Sequence, residues 1–152
     1  MPANTSPIYT LTPVVGKYTL TGNIGLATSD GVGTIAATPG LYLLVTGGAQ
    51  GTYISRIRIH AYATAAATNT AATVLRFYHS TIAAGACTAA DTRLFQEVGI
   101  GILAAAHSTT ALTPIEFSVN YVVPSGETIL ISSHANLAAN TGFMVLALGG
   151  SY

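Results

Sequence analysis

Charge is what this chain lacks most: five Lys/Arg and five Asp/Glu in 152 residues, 7% in all, with a net charge of zero. An average soluble domain carries about a quarter. So sparse and balanced a surface has little of the like-charge repulsion that keeps molecules apart. It also lacks the positive field on which phosphate binding depends, which argues against a nucleic-acid partner. Long apolar runs are missing too. Half of the residues are hydrophobic, yet Gly, Thr, Ser or Asn interrupts every apolar segment well before the roughly 20 residues a helix needs to cross a bilayer. No membrane partner is expected. Cysteine is limited to Cys87, so no internal disulfide can form. The chain opens Met1-Pro2-Ala3-Asn4 without the basic start and apolar stretch of a secretion signal, and synthesis in a reducing cytoplasm is the expectation. Tryptophan is absent, which leaves no indole to stack on a sugar ring.

The chain is instead rich in Thr, Val, Ile, Tyr and Gly, with apolar residues alternating at a period of two. That pattern predicts strands and argues against helices. Segments 8–20, 32–37, 41–46, 52–62, 73–80, 92–98, 114–121, 127–133 and 143–148 read as extended. Turn signals at Ser29-Asp30-Gly31, Thr38-Pro39-Gly40, Gly47-Gly48 and Pro124-Ser125-Gly126 punctuate them. Pro7 and Pro13 cannot donate a ladder hydrogen bond, so residues 1–20 are expected to form an extended N-terminal arm or an edge strand. Residues 21–152 are expected to form one all-β domain, a jelly-roll-like antiparallel two-sheet sandwich, because many short strands joined by loops of uneven length suit that architecture.

The alternation also suggests a pairing. In 52–62 and 73–80 the odd positions Ile57, Ile59, Leu75 and Phe77 are apolar, while the even positions Arg56, Arg58, His60, Arg76 and Tyr78 are polar. A hairpin in an even-sum register keeps both sets intact, whereas a one-residue slip mixes them. This predicts Arg56, Arg58, His60, Arg76 and Tyr78 on one face, a candidate interface where guanidinium forks could meet the carboxylates of a partner. An intrachain network with Glu97 or Glu116 is the competing use of the same arginines. Loops 63–72, 83–90, 104–111 and 135–140 are made largely of Ala, Thr, Ser and Asn, and their tips are expected to face neighbouring subunits or a larger surface.

Chemistry is poorly signalled. His60, His79, His107 and His134 show no His-x-His or His-x-x-x-His spacing, so no metal site is expected. Cys87 lacks a basic neighbour to activate it. No Gly-x-Ser-x-Gly elbow is present, and Gly31-Val32-Gly33 and Gly99-Ile100-Gly101 are too short for a phosphate-binding or dinucleotide loop. No catalytic residue and no cofactor are predicted, and the chain is not expected to be an enzyme.

Tyr53-Ile54-Ser55-Arg56-Ile57-Arg58-Ile59, the Ala/Thr loop after it, Val74-Leu75-Arg76-Phe77-Tyr78 and Leu94-Phe95-Gln96-Glu97 form a sequence of patterns, closed by Val123-Pro124-Ser125-Gly126-Glu127-Thr128 and a terminal strand through Gly150. Together they cover about two-thirds of the chain and resemble the small jelly-roll decoration, or cement, proteins of tailed-bacteriophage capsids. The resemblance implies a structural protein on the outer capsid surface of a virion, synthesised in the host cytoplasm. It further implies a homotrimer at three-fold or quasi-three-fold positions, with the major capsid protein as partner. A phage head-fibre or tail-associated module that recognises a receptor glycan is the alternative.

Overall fold

The structure, a computed structural model, describes residues 12–21, 30–37, 40–64, 69–103 and 112–151. Two four-stranded antiparallel sheets face each other. Sheet A runs in the order β1 (Thr12–Thr21), β10 (Thr141–Ser151), β4 (Thr52–Ala63) and β8 (Ile115–Val123). Sheet B runs in the order β3 (Tyr42–Thr46), β9 (Thr128–Ser133), β5 (Thr73–Ser80) and β7 (Thr92–Ile100). Two short strands, β2 (Gly33–Thr34) and β6 (Ala86–Cys87), pair with each other outside both sheets.

The pairings nest. Strand β1 pairs with β10, β3 with β9, β4 with β8 and β5 with β7. The chain is therefore one long hairpin, doubled back at the β5–β7 connection and wound around the sandwich, which is the jelly-roll arrangement.

The alternation read from the sequence orients the strands correctly but mispairs two of them. Strands β4 and β5 do not form a hairpin: β4 lies between β10 and β8 in sheet A, and β5 between β9 and β7 in sheet B. Ile57, Ile59, Leu75 and Phe77 do share one core, but they meet across the gap between sheets rather than along a ladder. A period of two fixes which side chains point inward; it does not fix which sheet a strand joins. Strand β4 ends at Ala63 in sheet A, and β5 begins at Thr73 in sheet B.

That core holds Leu20, Phe143 and Val145 from sheet A against Tyr42, Ile129 and Ile131 from sheet B, all buried. Phe77 sits at its centre, edge-on to Phe117 with ring centroids 5.5 Å apart. Each fully buried side chain of this size contributes about 1.5–3 kcal/mol of transfer free energy.

A second, smaller cluster lies on the outer side of sheet B, where Leu41, Tyr78, Cys87 and Leu130 are buried with Ile35 and Ile82 packed against them. The β2–β6 pair forms a flap over these residues, anchored by the Ile35 amide donating to the Gly85 carbonyl at 2.9 Å. Within the segment expected as arm or edge strand, residues 12–21 are edge strand β1, paired from Thr12 opposite Ser151 to Thr21 opposite Gly142. Residues 1–11 lie outside the described residues, as do 65–68 and all of the 104–111 loop.

Candidate functional site

Among the described residues, no element covers the outer face of sheet A. In a row across all four strands, Lys17 on β1 stands beside Leu146 on β10, Leu146 beside Arg58 on β4, and Arg58 beside Glu116 on β8. The next row places Thr19, Met144 and His60 together. Strand β10 thus lays an aliphatic stripe of Met144, Leu146 and Leu148, each half-buried, between a polar edge and a basic strand. Glu116 joins the two arginines: Arg56 Nη1 donates to Oε1 at 3.0 Å and Arg58 Nε donates to Oε2 at 2.6 Å. These hydrogen bonds, with the guanidinium charges behind them, hold the Glu116 carboxyl below its ordinary range. Because the side chains are half-exposed, the pairs add little net stability. They leave the face positive but internally braced.

A bulge breaks this surface. The β4–β10 register shifts between Leu148 and Gly149, and the β4–β8 register shifts between Ile54 and Arg56. Ser55 is left without a ladder partner on either side, and its hydroxyl donates to the Leu148 carbonyl at 2.9 Å. Opposite it, Asn120 takes a left-handed φ of 50° and accepts from the Tyr53 hydroxyl at 2.7 Å. Residue 149 must be glycine here, since a Cβ would stand 1.8 Å from the Tyr53 carbonyl oxygen. The result is an open depression of about 350 Å³ lined by Tyr53, Ser55, Arg56, Leu148, Gly149 and Gly150.

The five sequence-predicted interface residues are split by the fold. Arg56, Arg58 and His60 lie together on sheet A, whereas Arg76 and Tyr78 lie on the outer side of sheet B. Arg76 Nε donates to Glu97 Oε1 at 2.8 Å, with the Arg76 side chain only 9% exposed. Tyr78 is fully buried under the flap and offers no surface to a partner. Burial raises its phenol pKa, with the Ser132 hydroxyl and Arg76 offsetting part of the effect. Both intrachain pairings weighed from the sequence, with Glu116 and with Glu97, therefore occur.

Sequence reasoning missed a cleft at one end of the sandwich, about 180 Å³ in volume, lined by His79, Thr81, Ala90, Asp91, Arg93 and Glu127. His79 Nε2 contacts the Glu127 carboxylate, and its ring stands edge-on to Tyr121 at 5.5 Å. Tyr121 in turn stacks on Phe95 at 5.7 Å. Asp91 Oδ2 accepts from the Thr88 amide at 2.8 Å and the Thr88 hydroxyl at 2.6 Å, which lowers its pKa. The group is assembled from β5, β7 and the β8–β9 turn, so no local spacing could have announced it.

Among the described residues, no three His, Cys, Asp or Glu side chains are grouped to hold a metal ion. Cys87 is buried in the flap and its thiol pKa is raised by burial, the opposite of an activated nucleophile. No protein-family model, curated protein or solved structure matches the chain.

Proposed function

We propose that this chain is a structural virion protein, a capsid decoration or cement protein. In this reading it binds the outside of an assembled tailed-phage head through the outer face of sheet A and braces neighbouring capsomers. The observation that carries it is that open face, where an aliphatic stripe on β10 lies beside arginines already tied to Glu116. A partner covering the stripe gains apolar burial without having to desolvate an unpaired guanidinium. The scarcity of charge elsewhere points the same way. Contacts made only on the assembled shell stabilise that shell by linkage, and no turnover is needed. The partner is the major capsid protein, the acting unit a homotrimer and the place of action the outer surface of the virion.

Imaging particles with and without the protein tests the proposal. Added density on the outer shell is expected, and a shell with the same density in both cases overturns it. Leu146→Asp is expected to abolish saturable co-sedimentation with capsids while leaving the fold intact. A second reading, a head-fibre or tail-associated glycan module, is favoured by the depression beside Tyr53, where an aromatic ring, a hydroxyl and an arginine converge. It predicts sugar binding that Tyr53→Ala removes and that capsids do not compete.

A further inference from the structure

The neutral net charge conceals a two-faced distribution. Lys17, Arg56 and Arg58 stand on the sheet A side against one carboxylate, Glu116. The remaining four acids, Asp30, Asp91, Glu97 and Glu127, lie with Arg76 and Arg93 on sheet B and around the end cleft. These ten residues are all the formal charges of the chain, so an excess of two positive charges on one side faces an excess of two negative charges on the other. The arginine on the acidic side that pairs with Glu97 is buried, which leaves Asp91, Arg93 and Glu127 around the end cleft. Asp30 is close by, its carbonyl within 3.4 Å of the Thr92 hydroxyl.

Each side also carries accessible apolar surface, half-buried on the basic face and exposed on the acidic side. The basic face has the Met144, Leu146 and Leu148 stripe. On the acidic side Val32, whose amide donates to the Asp30 carboxylate at 3.1 Å, is 42% exposed, and Leu94, next to Arg93, is 41% exposed. The two surfaces match in kind and oppose in sign.

We infer that the occupant of the sheet A face in the free protein is a second copy of this chain, docked head to tail by its acidic end. Packing the face on itself would set Arg56 and Arg58 against their own copies, and like charges across an interface are costly. The contact is therefore heterologous, joining two different surfaces, and it repeats into a ring or a filament according to its rotation. It concerns the protein alone and stands or falls separately from the capsid reading.

Sedimentation velocity of the full chain across a concentration series tests it. Association is expected at about 0.01 M salt and is expected to be largely lost at about 1 M, where the screening length falls from ~30 to ~3 Å. Two variants sharpen the test: Arg56→Glu with Arg58→Glu makes both surfaces acidic, and Asp91→Lys with Glu127→Lys makes both basic. Each alone is expected to associate roughly a hundredfold more weakly than the parent, and an equimolar mixture is expected to regain association. A parent that stays monomeric at every concentration, association indifferent to salt, or a mixture of folded variants that remains monomeric each overturns the inference. So does loss of association in the first variant but not in the second. Circular dichroism checks that both variants fold, and the salt series on the unmodified chain asks the question without any substitution.

Discussion

The outer faces of the two sheets carry the same kind of residue and treat it oppositely. On sheet A, Arg56 and Arg58 lie in the open and share Glu116. On sheet B, Arg76 occupies an equivalent outward position, but its side chain is 9% exposed and it pairs with Glu97. Its neighbour Tyr78 is wholly buried. At Tyr78 the difference is the flap of β2 and β6, which covers that part of sheet B and has no counterpart on sheet A among the described residues. An outward-pointing position in a strand pattern is thus a statement about direction, and whether it meets solvent depends on what the connecting segments do. Among the described residues, one of two otherwise similar faces is covered and the other is the surface available for contact.

The largest effect that would break this contrast is Tyr78→Ala, which empties the space under the flap and is expected to cost about 3–5 kcal/mol in urea unfolding. Leu146→Ala on the open face should cost well under half of that, and equal losses would refute the asymmetry. Arg76→Ala comes next, at about 1.5–3 kcal/mol, because a nearly buried guanidinium loses a charge-assisted hydrogen bond and its stem loses packing. The paired change Arg56→Ala with Arg58→Ala is expected to leave the urea midpoint almost unmoved, which the same titration measures.

Thiol labelling reads the flap directly. Cys87, buried and with a raised pKa, should react slowly with an aromatic disulfide reagent in the parent and markedly faster in Gly31→Ala. A Cβ at residue 31, where φ is +73°, would lie 2.2 Å from the Thr92 hydroxyl and 3.0 Å from the Tyr78 ring, prising the covering segment away. The smallest effect concerns acid. The Glu116 pKa is depressed below its ordinary 4.5 in the folded chain, so its contribution to stability is present above that value and is lost as pH falls through the depressed one. Glu116→Gln should therefore flatten the acid limb of the stability curve slightly while leaving the alkaline limb in place.

Strand identity was largely legible in the sequence. The segment 73–80 is strand β5 residue for residue, and the segment 114–121 overlaps β8 from Ile115 to Tyr121, where the alternating Ile115, Phe117, Val119 and Tyr121 pack against the core. Pairing was not legible, because Ile57 and Phe77 look alike whether they meet along a ladder or across a sandwich. Nor was the flap: β6 is only Ala86–Cys87, too short for any periodicity. The apolar character of Leu41, Ile82 and Cys87 around Tyr78 was the available sign. The end cleft drew on residues distant in sequence and needed the nested pairing before it could be seen. The bulge at Ser55 had a local trace in Gly149-Gly150, since close approach of two backbones leaves no room for a side chain.

The nesting of strand pairs also orders events in time. Strand β10 sits between β1 and β4, so during synthesis two strands of sheet A wait without their shared neighbour until nearly all of the described chain has emerged. Joining Thr12 to Ser151 closes a very long loop, and topologies dominated by such distant contacts fold slowly, in about milliseconds to seconds. Through that interval the future sheet A presents unpaired edges with few charges to discourage wrong partners. Of the described strands, the latest to emerge is the one that joins β1 to β4, and the nascent sheet A is most exposed to misassembly just before it appears.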